Sequence, residues 1–401
     1  MRTKRILIDA RLRDGHAGGI QQVVCGIAQG LSNLDTSQFK IGFIVLKGES
    51  DWLAPYLSDG FLLIEVSKPS ADRNLSRSCS FLRRFIRRYF GHLLGSKSIC
   101  LEPEPELVTK YEPDLIHFVH QNCFATGRPF IFTPHDLQHE YFPEYFDKRT
   151  LMVRRELYKR HAQEAKAVAC ISSHCKKDVV RHLAVMPEKC PVIYNASPTL
   201  AYPQPSATYF MELRKKFDLP ESFLYYPAKT YPHKNHEKLI TAVKLLKERG
   251  EPVTVICSGP LTDHYASILE PHIRSEGVES EMRFLGWVTA EEVNALYDMA
   301  EALIFPSRFE GFGIPLVEAM SLGLPVICSK CSSIPEVVGN AAVFFDPDIP
   351  DSIADSISQV RADDALRESL SMNGRIESRR FSWVVSARQY LHLYHTILNE
   401  V

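Results

Sequence analysis

Residues 308–318 read RFEGFGIPLVE and place two carboxylates, Glu310 and Glu318, on either side of a Gly-Phe-Gly turn and a proline. An apolar run precedes this turn and a helical pattern follows it, so both acids lie where a buried strand meets a helix. Pro315 fits the first turn of that helix, because its missing N–H would have no partner there. We expect Glu318 near the first turn, where the helix dipole stabilises a carboxylate by about 0.3–1 kcal/mol.

The helix dipole does not explain Glu310, which lies on the glycine loop before the helix. A carboxylate can accept two vicinal hydroxyls and a helix N-terminus favours phosphate, so the stretch predicts a site for a ligand that carries both.

Two lysines follow another apolar run, in the stretch YYPAKTYPHKNHEKLI of residues 225–240. Lys229 and Lys234 are five positions apart, and Asn235 is placed to cap a helix that begins near His236. Lysines on a solvated loop usually have no function. Two lysines at a strand end, ahead of a helix N-terminus, are nevertheless suited to binding a diphosphate.

In the first half of the chain, two further pairs stand next to predicted strands and helices. His135 and Asp136 follow the apolar run 130–133, and they can serve acid–base chemistry or hold a loop by hydrogen bonds. Gly18 and Gly19 precede a helical pattern, where backbone N–H groups can approach an anion. The G-x-G-x-x-G pattern of dinucleotide-binding folds is absent there, which disfavours a nicotinamide cofactor.

Short apolar runs that alternate with stretches of helix length must position these residues. The runs are 5–9, 41–46, 61–66, 114–119, 130–133, 167–172 and 191–194 in the first half, and 223–227, 253–258, 282–285, 302–305, 325–329 and 342–345 in the second. Such runs are typical of parallel, doubly wound sheets, so the sequence predicts two α/β domains. The Pro-, Ser- and Ala-rich stretch 195–209 predicts the linker between them. Open α/β sheets bind ligands outside the carboxyl ends of their strands, so we expect a cleft between the domains.

The composition is that of a globular protein of two domains, with 401 residues, 45% hydrophobic and 24% charged. A formal net charge of −1 gives no global attraction to nucleic acid or to an anionic membrane. No apolar run approaches the roughly 18 residues of a membrane span, and no signal peptide is evident, so we expect a cytoplasmic protein with reduced cysteines. Cys328 and Cys331 have CxxC spacing but no second ligand pair, so no metal site is predicted.

The same motifs carry a resemblance to a known family. The stretch PSRFEGFGIPLVEAMSLGLPVICSKCSSIPEVVGNAAVFFDP (306–347) resembles the signature of family 4 retaining glycosyltransferases, whose E-x7-E pattern is met by Glu310 and Glu318. The similarity extends through FLGWVTAEEVNALYDMAEALIFPS and YPHKN, and more weakly to HAGGI and PHDLQHEYFPEYF. It implies the GT-B fold, in which two Rossmann-like domains face each other across a cleft. Residues 1–200 would bind the acceptor, residues 205–379 would bind the nucleotide sugar, and a C-terminal helix of residues 380–401 would pack back on the first domain.

The resemblance also implies a role for each matching residue. Glu310 would face the donor sugar, Glu318 would bind the nucleotide ribose, and Lys234 would neutralise the departing diphosphate. His135 would contact the hydroxymethyl end of the donor sugar and help to place the acceptor. The other donor-binding residues would be Lys229, Ser258, Gly259, Gly286, Trp287, Val288, Phe312, Gly313, Ile314 and Pro315, and the acceptor and phosphate loop would include Gly18, Gly19 and Asp136. The family commonly has arginine where this chain has Lys229, so the charge is kept and the bidentate fork is lost.

The resemblance predicts a hexosyltransferase that retains configuration, needs no metal or other cofactor, and takes a nucleotide sugar as its donor substrate. The acceptor would be a glycan or lipid-linked saccharide in surface polysaccharide or lipopolysaccharide synthesis. The stretches PHDLQHEYFPEYF and PHKNH look most like members that use GDP-mannose or a related GDP-hexose. The alternatives are a UDP-sugar-dependent transferase, a GT-B epimerase or phosphorylase, and a non-catalytic subunit that only binds a nucleotide sugar. Paired carboxylates also serve glycosidases, but that scheme predicts neither the lysines nor the phosphate site. Nucleic acid is not an expected partner.

Residues 81–94, FLRRFIRRYFGHLL, alternate apolar pairs with Arg83, Arg84, Arg87 and Arg88. The pattern predicts a helix with one apolar and one cationic side. Two interpretations stay open: a surface helix packed on the first sheet, and an interfacial helix on anionic lipid at the inner face of the cytoplasmic membrane.

Overall fold

The computed structural model describes residues 3–13, 18–67, 103–121, 123–198 and 205–399. The predicted membrane stretch 81–94, with Arg83, Arg84, Arg87 and Arg88, lies outside the described residues. Within them, the strands form two sheets of six strands each. The strands of the first sheet are β1 (Lys4–Asp9), β2 (Phe39–Leu46), β3 (Leu62–Val66), β4 (Leu115–Phe118), β5 (Phe130–Phe132) and β6 (Ala167–Val168). Those of the second are β7 (Leu224–Pro227), β8 (Val255–Ser258), β9 (Met282–Phe284), β10 (Ala302–Phe305), β11 (Val326–Ser329) and β12 (Ala342–Phe345).

Helices connect most of these strands, because a parallel pair needs a crossover connection. They are α1 (Gly19–Ser32), α2 (Glu106–Tyr111), α3 (Gln138–Tyr141), α4 (Lys148–Glu164), α5 (Ser173–Leu183), α6 (Ala207–Phe217), α7 (His236–Glu248), α8 (Glu270–Glu276), α9 (Ala290–Met299), α10 (Ile314–Leu322), α11 (Ile334–Val338), α12 (Pro350–Ala362), α13 (Asp364–Ser378) and α14 (Trp383–Asn399). Shorter 3-10 turns are Ala54–Tyr56, Pro143–Tyr145, Pro187–Lys189 and Pro232–Lys234, and a π-helical turn spans Tyr265–Leu269.

Both sheets are parallel and share one strand order. The first runs β3-β2-β1-β4-β5-β6, and the second, β12-β11-β10-β7-β8-β9, is the same order counted from β7. In each sheet the order reverses between two central neighbours, β1 with β4 and β7 with β10. Ligands of doubly wound sheets bind at that reversal, outside the carboxyl ends of the strands. The predicted fold class, α/β with two doubly wound sheets, is confirmed.

The continuous apolar runs of the sequence are explained by burial on both faces. Every residue of β4, β10 and β11 is buried, so no alternation of polar and apolar residues appears in them. The run 191–194 departs from the prediction, since within the described residues its β-pairing is a single bridge between Cys170 and Val192. Helix α6 begins at Ala207, inside the stretch predicted as a linker.

The last helix, α14, packs on the first helix of the chain. Gly26 and Gly30 of α1 lie so close to Trp383 that an added Cβ at either position would overlap it. Farther along α14, the Tyr394 hydroxyl lies 2.8 Å from Nδ1 of His117, a buried residue of β4. The chain therefore returns to the first sheet after it has completed the second.

The loops at the carboxyl ends of the two sheets face each other and touch. Gly18 lies against Lys229, the loop residue after β7, and an added Cβ there would be 3.2 Å from the lysine Cε. Gly311, after β10, packs directly on the backbone carbonyl of His135, after β5, and leaves no room for a Cβ. The reversal points of both sheets thus border one cleft.

Candidate active site

A cavity of about 920 Å³ occupies this cleft and is lined by loops of both sheets. It brings together nearly all of the residues that the sequence predicted: Gly18, Gly19, His135, Asp136, Lys229, Lys234, Ser258, Gly259, Trp287, Val288, Glu310, Phe312, Gly313, Ile314, Pro315 and Glu318. Gly286 does not line the cavity. Its carbonyl accepts the backbone N–H of Gly259 at 2.7 Å, so it supports the wall from behind.

An ion pair joins the loop after β7 to the loop after β10, at the point where the strand order of the second sheet reverses. Lys234 Nζ lies 2.5 Å from Oε1 of Glu310, and the lysine also stands over the ring of Phe305 at 5.8 Å. Both side chains are mostly buried, with 18% and 12% of their surface exposed. The pair places one positive and one negative group side by side in the cavity wall, where a charged ligand could exchange partners with them.

Glu318 is held by a side chain of another helix as well as by its position in α10. It is the fifth residue of α10 rather than a residue of the first turn, and it is buried. The Tyr297 hydroxyl on α9 donates a hydrogen bond of 2.7 Å to its Oε2. Glu318 therefore lies just beyond the first turn, where the effect of the dipole has declined, and the tyrosine fixes one carboxylate oxygen in the wall.

The start of α10 forms the wall between the two acids. Gly313 precedes the helix with φ of 99°, a left-handed conformation that favours glycine, and Pro315 occupies the first turn as predicted. Among the described residues, no side chain caps this helix. Its N-terminus therefore opens on the cavity, where the helix dipole favours an anion.

Lys229 stands on the same wall as Lys234, across from Gly18. Burial lowers the pKa of Lys229 below its ordinary value, and the nearby Lys234 lowers it further. Lys234 is balanced by Glu310, whereas desolvation and the second ammonium group both disfavour the charged form of Lys229, which an anion bound beside both lysines would stabilise. The arrangement is suited to a diphosphate.

Asn235 departs from its predicted capping role. It stands at the start of α7 with φ of 62°, and its side chain does not bond to the helix. Its amide instead donates to the carbonyls of Pro306 at 3.1 Å and Pro347 at 2.7 Å. The residue thereby ties the loop after β7 to the loops after β10 and β12, beside the Lys234–Glu310 ion pair.

His135 is the buried imidazole of the opposite wall. Its Nε2 lies 2.6 Å from the carbonyl of Val119, which requires a proton on that nitrogen and leaves Nδ1 as an acceptor. Burial lowers the pKa of His135, although the Val119 carbonyl and Asp136 oppose that shift, so the ring is neutral at pH 7. A neutral imidazole with a free lone pair can accept a hydroxyl proton in a hydrogen bond.

The loop after β10 is also held from the first sheet. Ser172 Oγ donates to the carbonyl of Gly311 at 2.7 Å, while Ser333 Oγ, on the second-sheet side, donates to the carbonyls of Glu310 at 2.9 Å and Phe312 at 3.1 Å. The position of Glu310 therefore depends on both halves of the molecule.

Sequence reasoning missed several lining residues: Ile20, Gln21, Gln22, Trp52, Tyr56, Gln121, Gln138, Tyr145, Phe146, Arg154, Asn195, Tyr231 and His233. Trp52 and Gln121 follow strands β2 and β4, so the strand-end rule could have found them. Arg154 lies inside α4, where a charged residue on a helix of ordinary pattern gives no such signal.

Two structural absences hold for the described part of the chain. No three His, Cys, Asp or Glu side chains converge there as a metal site would require. None of the helices described has the length and apolar character to cross a membrane.

Two family models match the chain, one in each half. Residues 17–199 match the model described as Glycosyltransferase Family 4, and residues 211–377 match the one described as Glycosyl transferases group 1.

Curated relatives match over parts of the chain. O-antigen chain mannosyltransferase B of Escherichia coli is 29% identical over 263 residues, which cover 65% of this chain and 69% of the relative. O-antigen chain mannosyltransferase RfbU of Salmonella typhimurium is 29% identical over 57% of this chain and 60% of its own length. Serotype-specific mannosyltransferase WbdA of Escherichia coli is 28% identical over 58% of this chain, which spans only 29% of that longer protein.

Solved structures share the whole architecture. Anabaena Alr3699/HepE in complex with UDP and glucose superposes with a TM-score of 0.71 at 20% identity, over 98% of this chain and 100% of the other. WaaG, a glycosyltransferase involved in lipopolysaccharide biosynthesis, gives a TM-score of 0.67 at 15% identity, over 96% and 98% of the two chains. At these identities the likeness concerns the fold.

Proposed function

Because the chain belongs to the glycosyltransferases of the GT-B fold, with a Family 4 domain before a group 1 domain, we propose that it is a retaining mannosyltransferase that uses GDP-mannose. The proposed acceptor is a glycan or lipid-linked saccharide of a surface polysaccharide. Mannose is supported by the names of the relatives, which are O-antigen mannosyltransferases. The guanine nucleotide is supported by the stretches PHDLQHEYFPEYF and PHKNH.

The observation that carries the proposal is the Lys234–Glu310 ion pair, with Glu318 in the same cavity wall. When a sugar diphosphate enters, Lys234 can exchange the carboxylate for phosphate oxygens. Glu310 is then released to accept hydrogen bonds from sugar hydroxyls. Glu318, held by Tyr297 on the far side of the α10 N-terminus, is placed for the ribose hydroxyls.

The chemistry that these groups support is electrostatic. Negative charge develops on the diphosphate as the bond to the anomeric carbon breaks. Lys234, Lys229 and the N-terminus of α10 all face the cavity where that charge would form. His135, neutral and buried on the opposite wall, is proposed to orient the donor sugar and the acceptor.

We also propose that the reaction needs no resident metal or other cofactor. Turnover should then survive a chelator of divalent cations.

We further propose that the stretch 81–94 contacts anionic lipid when the acceptor is membrane-linked. Purified protein should pellet with anionic liposomes at low salt, and substitution of the four arginines should abolish pelleting. Turnover lost to chelation, or soluble protein in the presence of such liposomes, would contradict the respective proposal.

A donor panel tests the function. GDP-mannose, UDP-glucose and an ADP-sugar are incubated with the protein, and the free nucleotide released is measured. We expect release from GDP-mannose, reduced about 10²–10³-fold in Glu310→Ala, because the group that faces the sugar in the transition state is lost. Glu270→Gln, which changes an acid paired with Arg274 on α8, is the matched control and should release nucleotide normally.

The same assay examines retention and the choice of donor. With water as the acceptor, the mannose first released should have the anomeric configuration of the donor, as seen by proton NMR before mutarotation. Release from UDP-glucose alone would overturn the guanine proposal. No binding and no release with any donor would overturn the enzyme proposal.

A further inference from the structure

One part of the first-sheet wall has no role in the donor site described above. Gln138, Tyr145, Phe146 and Arg154 line the cavity there. They come from α3, the turn that follows it, and α4, beyond the loop that carries His135.

Arg154 is a cation without an anionic partner in the part of the chain that the structure describes. Its contact is with the ring of Phe146, whose centroid lies 4.6 Å from Cζ. Two other arginines of α4 are paired, since Arg155 lies 2.8 Å from Glu140 and Arg160 lies 3.0 Å from Glu164. A guanidinium stacked on an aromatic ring and half-buried in a cavity wall keeps its planar fork available for an anion.

Gln138 supplies a second, independent sign of a missing ligand. Its side chain is 9% exposed, and its Nε2 is buried without a partner among the described residues. A buried amide donor that makes no hydrogen bond is unfavourable, so an acceptor placed here would stabilise it. The residue lines the same cavity as Arg154.

We propose that Arg154 and Gln138 form a subsite for a phosphate ester of the acceptor. The proposal rests on the function proposed above and adds the class of acceptor. The guanidinium fork matches two phosphate oxygens, and the amide N–H₂ can donate to a third. The donor diphosphate is assigned to Lys229 and Lys234 on the opposite wall, so this subsite is a second anion site.

The position of the subsite relates the phosphate to the reacting hydroxyl. Gln138 follows His135 by three residues, and its backbone N–H donates to Asp136 Oδ1 at 3.0 Å. Asp136 and Arg154 are the charged side chains that the described part of this wall presents to the cavity. A carboxylate suits a hydroxyl donor and a guanidinium suits a phosphate, so the acceptor saccharide carries its phosphate close to the hydroxyl that receives the sugar.

The experiment measures phosphate binding with the donor site occupied. Wild-type protein is saturated with GDP, and inorganic phosphate is then titrated at constant ionic strength while the melting temperature is followed. We expect phosphate to raise it, with affinity weakened by about tenfold or more in Arg154→Gln because a charge-assisted bidentate contact is lost. Arg154→Lys should be intermediate, since it keeps the charge without the fork. Arg155→Gln is the matched control and should respond like wild type.

The outcomes separate this proposal from the proposed function. The response to GDP alone is recorded first. A GDP response with equal phosphate affinity in wild type and Arg154→Gln overturns the subsite and leaves the donor proposal intact. An Arg154-dependent phosphate response without any response to GDP supports the subsite and overturns the guanine donor. Titration with mannose 1-phosphate and with geranyl phosphate then distinguishes a sugar phosphate from a lipid phosphate by the tighter binding.

Discussion

Glu310 and Glu318 belong to one sequence pattern, but the fold gives them different partners. Glu310 is held by an ammonium group that a ligand can displace, whereas Glu318 is held by the neutral hydroxyl of Tyr297. A carboxylate bound to a cation changes its interactions when a phosphate arrives. One bound to a tyrosine keeps its orientation. At the residue scale, Glu310 is therefore the acid whose environment changes with the donor, and Glu318 is a fixed binding group.

Glu318→Gln tests this distinction. The amide oxygen can still accept from Tyr297, so the melting temperature should stay near that of wild type. A charge-assisted contact to the ribose is lost, which should raise KM for the nucleotide sugar by about tenfold with little change in kcat. Steady-state kinetics with GDP-mannose measure both constants, and Tyr297→Phe, which keeps the carboxylate, is the companion variant. An unchanged KM would place the ribose elsewhere.

How far the sequence predicts such residues depends on how local their signal is. The two glutamates, the lysines and the glycines stand next to strand ends, and strand ends are visible as the limits of apolar runs. Tyr297, which holds Glu318, lies 21 positions earlier in the chain and gives no local sign of the contact. Arg154 is hidden for the same reason, because only packing turns one residue of a helix towards a cavity.

At the scale of elements, the packing of α14 on α1 depends on two glycines, which have no side chain to separate the helices. Gly26 and Gly30 are one helical turn apart on the buried face of α1, and both lie against Trp383. Glycine is unfavourable inside a helix by about 1 kcal/mol relative to alanine, so its presence twice on one face indicates a close helix contact. The family resemblance predicted that a C-terminal helix packs back on the first domain, but no sequence pattern indicates that it meets α1 at these two glycines.

Gly26→Ala should therefore destabilise the protein although alanine is the better helix former. The added Cβ would overlap the Trp383 indole, and overpacking of this kind costs about 1–3 kcal/mol. A lower melting temperature and faster proteolysis between residues 378 and 399 are the expected results. Gly127→Ala is the matched control, because nothing lies within 4 Å of an added Cβ there. Equal stability of the two variants would contradict the packing account.

At the scale of the whole molecule, side chains of the second half of the chain bind residues of the first half. Glu336 on α11 accepts the backbone N–H groups of Ser173 at 2.7 Å and His174 at 3.0 Å, and the Tyr194 hydroxyl at 2.9 Å. It thus caps α5, a helix of the other half. Nearby, Phe309 packs among aromatic rings of the first half, with its centroid 4.9 Å from that of Tyr141. The two walls of the cavity are positioned by these contacts, which no strand or helix pattern predicts.

Glu336→Gln should lower the melting temperature and loosen the cleft, visible as a larger radius of gyration in solution scattering. Burial raises the pKa of Glu336, but the hydrogen bonds from Ser173, Tyr194 and His174 outweigh it and hold the pKa below the ordinary 4.5. A carboxyl with a lowered pKa contributes stability above its unfolded value and loses it as pH falls through the folded value. The difference in melting temperature between variant and wild type should therefore be full at pH 7, begin to shrink near pH 4.5, and be lost as the pH falls through the lower pKa of the folded protein.

The return of α14 to the first sheet has a consequence for the nascent chain. A ribosome completes α1 some 350 residues before it reaches Trp383, and at roughly 5–20 residues per second the interval is on the order of tens of seconds. During that time the groove at Gly26 and Gly30 stays uncovered while the second sheet is still being made. The first sheet cannot finish folding in order of synthesis, and its open groove is available to chaperones, or to other unfinished chains, until the last helix emerges.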